Sequence, residues 1–173
     1  NGTDLEFDVH GGRWCAETGF YNKPGDSGNF PGGEVSIAPV DATGYLVVDG
    51  SISNLGKLSD PIKIEIQGRR IKSISGPRSS ELRNFLESHD EGAFNIAELG
   101  IGMNPKARVT GNVLEDEKVL GTVHVGIGDN SNMGGKTIGE IVSSSIHIDG
   151  VVTSNPILTA DGKKIEPNNF FDK

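Results

Sequence analysis

Residues 121–128 read GTVHVGIG, and the way this stretch alternates decides the fold. Successive side chains of an extended strand point to opposite faces, so Val123, Val125 and Ile127 fall on one side and Thr122, His124, Gly126 and Gly128 on the other. Residues 144–149 repeat the arrangement, with Ile146 and Ile148 opposing Ser145, His147 and Asp149. Residues 96–101 set Ala97, Leu99 and Ile101 against Ile96, Glu98 and Gly100, and residues 34–38 set Val35 and Ile37 against Glu34, Ser36 and Ala38. One such stretch alone is an amphipathic strand with its polar face in water. Four together are harder to place in water, because a solvated face is normally rich in Lys, Thr and Arg. Here Gly, Ser and Ala stand beside a single ligand-type group, as expected where something approaches the backbone closely.

Working outward, strand patterns cover residues 3–9, where Leu5, Phe7 and Val9 alternate with charged neighbours, and residues 34–40, 44–53, 61–67 and 69–75. Gly68 and Arg69 suit a tight connection between the last two. Further strands are expected at 94–101, 121–128, 144–151 and 156–159, closing in a hairpin around Asp161 and Gly162. The stretch PRSSELRNFLES brings Leu82, Phe85 and Leu86 to helical spacing, with Ser79 or Ser80 as its cap, and a second short helix fits 113–119. Residues 18–33 are dense in Gly, Pro, Asn and Asp, the chemistry of a long loop. The expected class is α+β: a β-rich mixed domain with a barrel-like or meandering sheet and one or two short helices. Residues 1–173 are read as a single domain.

The chain carries a formal net charge of -8, which repels phosphate backbones and anionic lipid, so neither nucleic acid nor a membrane is an expected partner. Cys15 is the only cysteine, which rules out an internal disulfide and a cysteine-based zinc site and points to the cytoplasm. No apolar run approaches a membrane span. The chain opens on Asn1 directly into a strand pattern, which suggests that it continues a longer protein.

Glu34, Glu98, His124, His147 and Asp149 are therefore the candidate metal ligands. Two imidazoles with carboxylates suit Zn, Mn, Co or Fe(II), and a set with three or more carboxylates can hold two ions roughly 3.5 to 4 Å apart.

The segments GGEVSIAP, AELGIGMNP, LEDEKVLGTVHVGIGDN and SSIHIDG, spread in order along the chain, also resemble the catalytic domain of the metalloaminopeptidase family that includes aminopeptidases T and S. The resemblance implies a C-terminal metal-binding domain of a longer, homodimeric protein, with two metals bound by Glu34, Glu98, His124, His147 and Asp149. It adds Glu117, from the Asp116–Glu117 pair, as a sixth ligand. The implied activity is removal of N-terminal residues from small peptides by a water activated between two Zn, Co or Mn ions, with Glu98 or Glu117 moving the proton. One departure bears on that activity. The peptidases carry a tyrosine after the histidine that matches His124, whereas this region reads GDNSNMGG.

That difference sustains a rival, in which His124, His147 and Asp149 form the two-histidine, one-carboxylate set of a mononuclear Fe(II) ring-cleaving enzyme, similar to a dihydroxypyridine dioxygenase. A domain that binds metal or a partner without turnover is the third possibility. GGKT at 134–137 is read as a loop, because the phosphate-cradling pattern needs glycine where Asn130 stands. His10 and His89 have no partner at ligand spacing. Lys118 suits either an oxyanion or the neighbouring carboxylates.

Overall fold

A computed structural model describes residues 1–131 and 141–167. Its strands are β1 (Asp4–Asp8), β2 (Cys15–Glu17), β3 (Glu34–Ile37), β4 (Asp41–Val48), β5 (Ser51–Ile52), β6 (Gly56–Lys57), β7 (Ile62–Gln67) and β8 (Arg70–Ser75). Helix α1 (Ser79–Glu87) and a 3-10 turn at Glu91–Phe94 lead into β9 (Ile96–Gly102), and α2 (Val113–Asp116) precedes β10 (Val123–Gly128). The chain ends through β11 (His147–Val152), β12 (Leu158–Ala160) and β13 (Lys163–Ile165). The class is α+β, with open, meandering antiparallel sheets and few short helices.

Two sheets carry the domain, one ordered β1-β4-β7-β8 and the other β2-β3-β9-β10-β11-β5-β6, with β12-β13 as a separate hairpin. Leu46, Val48, Ile62, Ile64 and Ile66 from the first sheet meet Val125, Ile127, Ile148 and Val152 from the second, and Leu82 and Leu86 of α1 join them. Several of these side chains are wholly buried, and each contributes about 1.5–3 kcal/mol, so stability resides between the sheets. The opposite face of β9, β10 and β11 is left for chemistry. No helix among the described residues is long and apolar enough to cross a membrane.

Three local expectations change. The strand read over 44–53 breaks at Asp49–Gly50, where the chain leaves the first sheet and joins the second. Gly50 N–H bonds Val151 O at 3.0 Å, and Asp49 accepts Thr153 N–H at 2.7 Å, so this corner is pinned to β11. The N-cap of α1 is Arg78, with no side-chain cap, and neither serine fills that role. Arg78 instead pairs with Glu81 at 2.7 Å.

The third change is a bulge. Gly126 pairs with Glu98 but Ile127 pairs with Ile96, so Ala97 is an extra residue in β9. Strict alternation puts Ile96 on the face of Glu98. The bulge reverses that, sending Ile96 into the core while Glu98 keeps the other face. The tight connection at Gly68 and Arg69 has φ of 58° and 60°, the sign a two-residue hairpin turn demands. Arg69 bears the left-handed backbone because its guanidinium is held by Asn95 Oδ1 and Pro39 O, each at 3.0 Å.

Candidate metal centre

Neighbouring strands bring the candidate ligands together row by row. Glu34 pairs with Gly102, His124 with Gly100, and Gly126 lies between Glu98 and Asp149. The glycines make the room. A Cβ at residue 100 would meet His124 Nε2 at 1.9 Å, and one at 126 would meet Glu98 Cβ at 2.7 Å and His147 Cε1 at 2.9 Å. The two imidazoles thus lie against glycine backbone, the close approach expected from their setting in the strands.

His124 Nε2 lies 3.3 Å from Glu34 Oε2 and 3.8 Å from Glu98 Oε1, and His147 Nε2 lies 3.1 Å from Glu98 Oε2 and 3.3 Å from Asp149 Oδ1. Two donor sets result: Glu98, His147 and Asp149, and Glu117, His124 and Asp149, each with its ligand atoms within 4.8 Å of one another. Asp149 belongs to both, the position of a bridging carboxylate, so the centre suits a pair of divalent ions. Glu34 stands beside His124 outside either set. His147 Nδ1 lies 2.7 Å from Asp129 O. A carbonyl only accepts, so Nδ1 carries a hydrogen there, and Nε2 is the nitrogen turned toward the carboxylates, available to a metal once it sheds its proton.

Just after α2, Glu117 and Lys118 turn inward together. Lys118 is wholly buried, its Nζ 2.9 Å from Glu34 Oε1, 3.5 Å from Glu17 Oε2 and in short contact with Glu117 Oε1. Of the two roles open to it, the carboxylate pairing is the one formed. Asp116 has a different task. Its carboxylate accepts Thr110 N–H at 2.6 Å, Gly111 N–H and the Ser51 hydroxyl at 2.7 Å, tying the loop before α2 to β5. Glu17 is the member that sequence reasoning missed, and its signal was faint: an acidic residue pointing to the same face as Glu34, visible only once β2 is known to pair with β3.

Burial would lower the pKa of His147, but the Asp149 and Glu98 carboxylates beside it outweigh that and push the ring up to about 11. For His124, burial is likewise overcome, by Glu98, Asp149 and Glu34, and its value rises to about 9. Glu98 falls below the usual carboxylate range, since both imidazoles outweigh burial. Burial pushes Glu34 up to about 7 against the pull of His124 and Lys118, and burial with Asp149 raises Glu117. Lys118 rises above the usual lysine range because Glu117 and Glu34 outweigh its burial. Glu34 and Lys118 make opposing demands on one contact. The ammonium, touching three carboxylates, stays charged.

A metal ion bound here would displace these protons. Glu34 Oε2, His124 Nδ1 and Asp149 Oδ1 are buried without a hydrogen bond among the described residues, and the first and last face the imidazoles. Carboxylate oxygens left unpaired beside the imidazoles of a glycine-lined hollow fit divalent ions. A cavity of about 470 Å³ lies elsewhere, lined by Arg69, Arg70, Asp41, Glu91 and Asn95 among others, where two cations and two carboxylates balance and no ligand set forms among the described residues. His10 pairs with Asp8, and His89 with Phe85 O, both away from the centre. The GGKT segment lies outside the described residues.

Fold and donor sets together define a domain built around a histidine–carboxylate centre for divalent metal. The chain belongs to the NicX family, 2,5-dihydroxypyridine 5,6-dioxygenase, which matches residues 1–164. A structure of 2,5-dihydroxypyridine dioxygenase from Pseudomonas putida KT2440 superposes with a TM-score of 0.74 at 21% identity, over 95% of this chain and 52% of that one. Wild-type AmpT from Thermus thermophilus superposes at 0.67 with 20% identity, over 87% of this chain and 41% of that one. At such identities the likeness is one of fold. The chain spans about half the length of each of these two structures or less. No curated protein matches it.

The family corrects the expected identity. The chain is not placed with aminopeptidases T and S, and metalloprotease activity, hydrolysis and a peptide substrate fall with that assignment. The physical reason lies in what the quoted motifs encode. They consist of ligands and the glycines beneath them, which a shared scaffold needs for metal whatever the reaction.

Proposed function

We propose that this domain serves a metal-dependent dioxygenase that opens the ring of a small dihydroxylated nitrogen heteroaromatic of the 2,5-dihydroxypyridine kind, with Fe(II) as the working ion. The family match over residues 1–164 carries this reading. His147, Glu98 and Asp149 would hold an ion at the open end, because the His147 side chain is 31% exposed whereas His124 is 1% exposed. His124, Glu117 and Asp149 would hold the enclosed one. Bound there, such ions supply Lewis acidity toward the ring hydroxyls and electron exchange with dioxygen.

The protein's own groups orient and move protons. The Asp129 carbonyl fixes the His147 ring, and Glu98, held ionised between the imidazoles, is a ligand first. Glu34, raised by burial to about 7 and outside both donor sets, suits a group that takes a proton from a substrate hydroxyl and returns it.

The test is oxygen uptake by the Fe(II)-loaded chain on addition of 2,5-dihydroxypyridine, followed with loss of the ring's ultraviolet absorption. One oxygen consumed per ring lost is expected. A chain shown to hold iron that consumes neither would end the proposal.

A further inference from the structure

We propose that Asn95 is a positioning residue for the metal centre: with Arg69 fixed behind it, it clamps Gly128 so that the carbonyl of Asp129 meets the ring of His147. This rests on the metal-centre reading of the site. Asp129 stands just past the end of β10, where its N–H still bonds Ile146 O at 2.8 Å but its carbonyl lies 2.7 Å from His147 Nδ1. The chain changes course one residue earlier. Gly128 has a φ of 110°, and a Cβ there would collide with the Ile146 carbonyl, so only glycine makes this turn. A residue so free in conformation needs something to hold it.

Asn95 holds both of its backbone groups. The Asn95 carbonyl accepts the Gly128 N–H at 2.8 Å, and the Asn95 side-chain amide donates to Gly128 O at 3.0 Å. That amide has one orientation open to it. Arg69 Nε donates to Asn95 Oδ1 at 3.0 Å, which leaves Nδ2 as the atom facing Gly128 O. Arg69 is itself tied at both ends, its guanidinium to Pro39 O at 3.0 Å and its backbone carbonyl to the Ile96 N–H at 2.8 Å. Arg69 and Asn95 are 6% and 1% exposed, so water does not compete for these bonds. The φ of 60° at Arg69 is strained for any residue but glycine, which would close the same hairpin without strain. What glycine could not do is fix the amide. A continuous buried line therefore runs from Arg69 through Asn95, Gly128 and Asp129 to His147, and it ends on the atom that sets the orientation of a ligating imidazole.

The experiment is Co²⁺ titration followed by the visible absorption of the bound ion, with urea unfolding of the same proteins. Asn95→Asp keeps the size of the side chain and gives Arg69 an anionic partner, but it replaces the donor to Gly128 O with an acceptor that repels it. It should weaken Co²⁺ about tenfold or more and shift the absorption bands, with a urea midpoint near that of the unsubstituted chain. Arg69→Gly removes the guanidinium and the strained backbone together, and should weaken Co²⁺ about three- to tenfold by freeing the amide. Leu86→Ala, a fully buried core position on α1, should lower the urea midpoint and leave affinity and spectrum unchanged. If Asn95→Asp folds and binds Co²⁺ with the unsubstituted affinity and spectrum, the proposal is overturned and the metal centre stands; no Co²⁺ on the unsubstituted chain overturns both. An equal loss of affinity in Leu86→Ala would assign the effect to general loosening and overturn it too. If neither Asn95→Asp nor Arg69→Gly folds, the network supports the core alone and the proposal falls.

Discussion

Gly100 lies directly beneath the ring of His124, so close that a Cβ at residue 100 would come within 1.9 Å of Nε2. The imidazole can occupy its place between Glu34 and Glu98 only because the facing strand has no side chain there. Gly100→Ala is therefore expected to displace the ring, lowering metal affinity at least tenfold. Overpacking should cost about 1–3 kcal/mol, more than the ~0.4–1 kcal/mol gained by stiffening the unfolded chain. Cobalt titration and urea unfolding read the two effects separately. Unchanged cobalt affinity would mean that the ring does not rest there.

The shared position of Asp149 gives the ion count a definite pattern. His147→Ala and His124→Ala should each keep about one divalent ion per chain, whereas Asp149→Ala should keep neither. Elemental analysis after exhaustive dialysis distinguishes the three. Two ions retained by Asp149→Ala would remove it from the centre.

Proton release should accompany metal uptake. In the metal-free chain His124 and His147 titrate near 9 and 11, so both are protonated at pH 7 and must shed a proton to bind metal. Affinity should accordingly rise with pH, and calorimetry in buffers of different ionisation heat should report about two protons released on filling both sites at pH 7. For the metal-free chain the sign is opposite. Histidines whose folded pKa is raised add stability that is complete below the unfolded value near 6.5 and is lost as pH climbs through 9 and on to 11. A melting temperature that rises over that range without metal would contradict the assignment.

Adjacent acidic residues should behave differently. Asp116→Ala strands the N–H groups of Thr110 and Gly111 and the Ser51 hydroxyl, costing about 3 kcal/mol in urea unfolding, with the ion count of the folded fraction unchanged. Glu117→Gln should lose one ion instead. Equal metal loss in both variants would show that Asp116 is also a ligand.

Most of the meander could be read from residue order because a strand has a period of two, and alternating Val and Ile against Gly, His and carboxylates reports both the strand and its faces. The same period marked Glu34, Glu98, His124, His147 and Asp149, since each stands opposite an aliphatic stripe. It failed at Ile96, where the extra residue Ala97 changes the phase, and at 44–53, where the chain changes sheets without losing its apolar pattern. Glu117 was reached only through family likeness, because a residue at the end of a short helix carries no facing signal. The reaction was misread for a related reason: ligands and glycines describe the metal's bed, and two chemistries can use one bed.

The order of amino acids alone determined which side chains could share a face, because backbone stereochemistry repeats locally and needs no partner strand. Only the folded chain decided that Glu17, Glu34, Glu117 and Lys118 meet, and that Asp149 serves both donor sets. Those contacts depend on strand order and register across the sheet, which arise from packing between residues far apart in the chain.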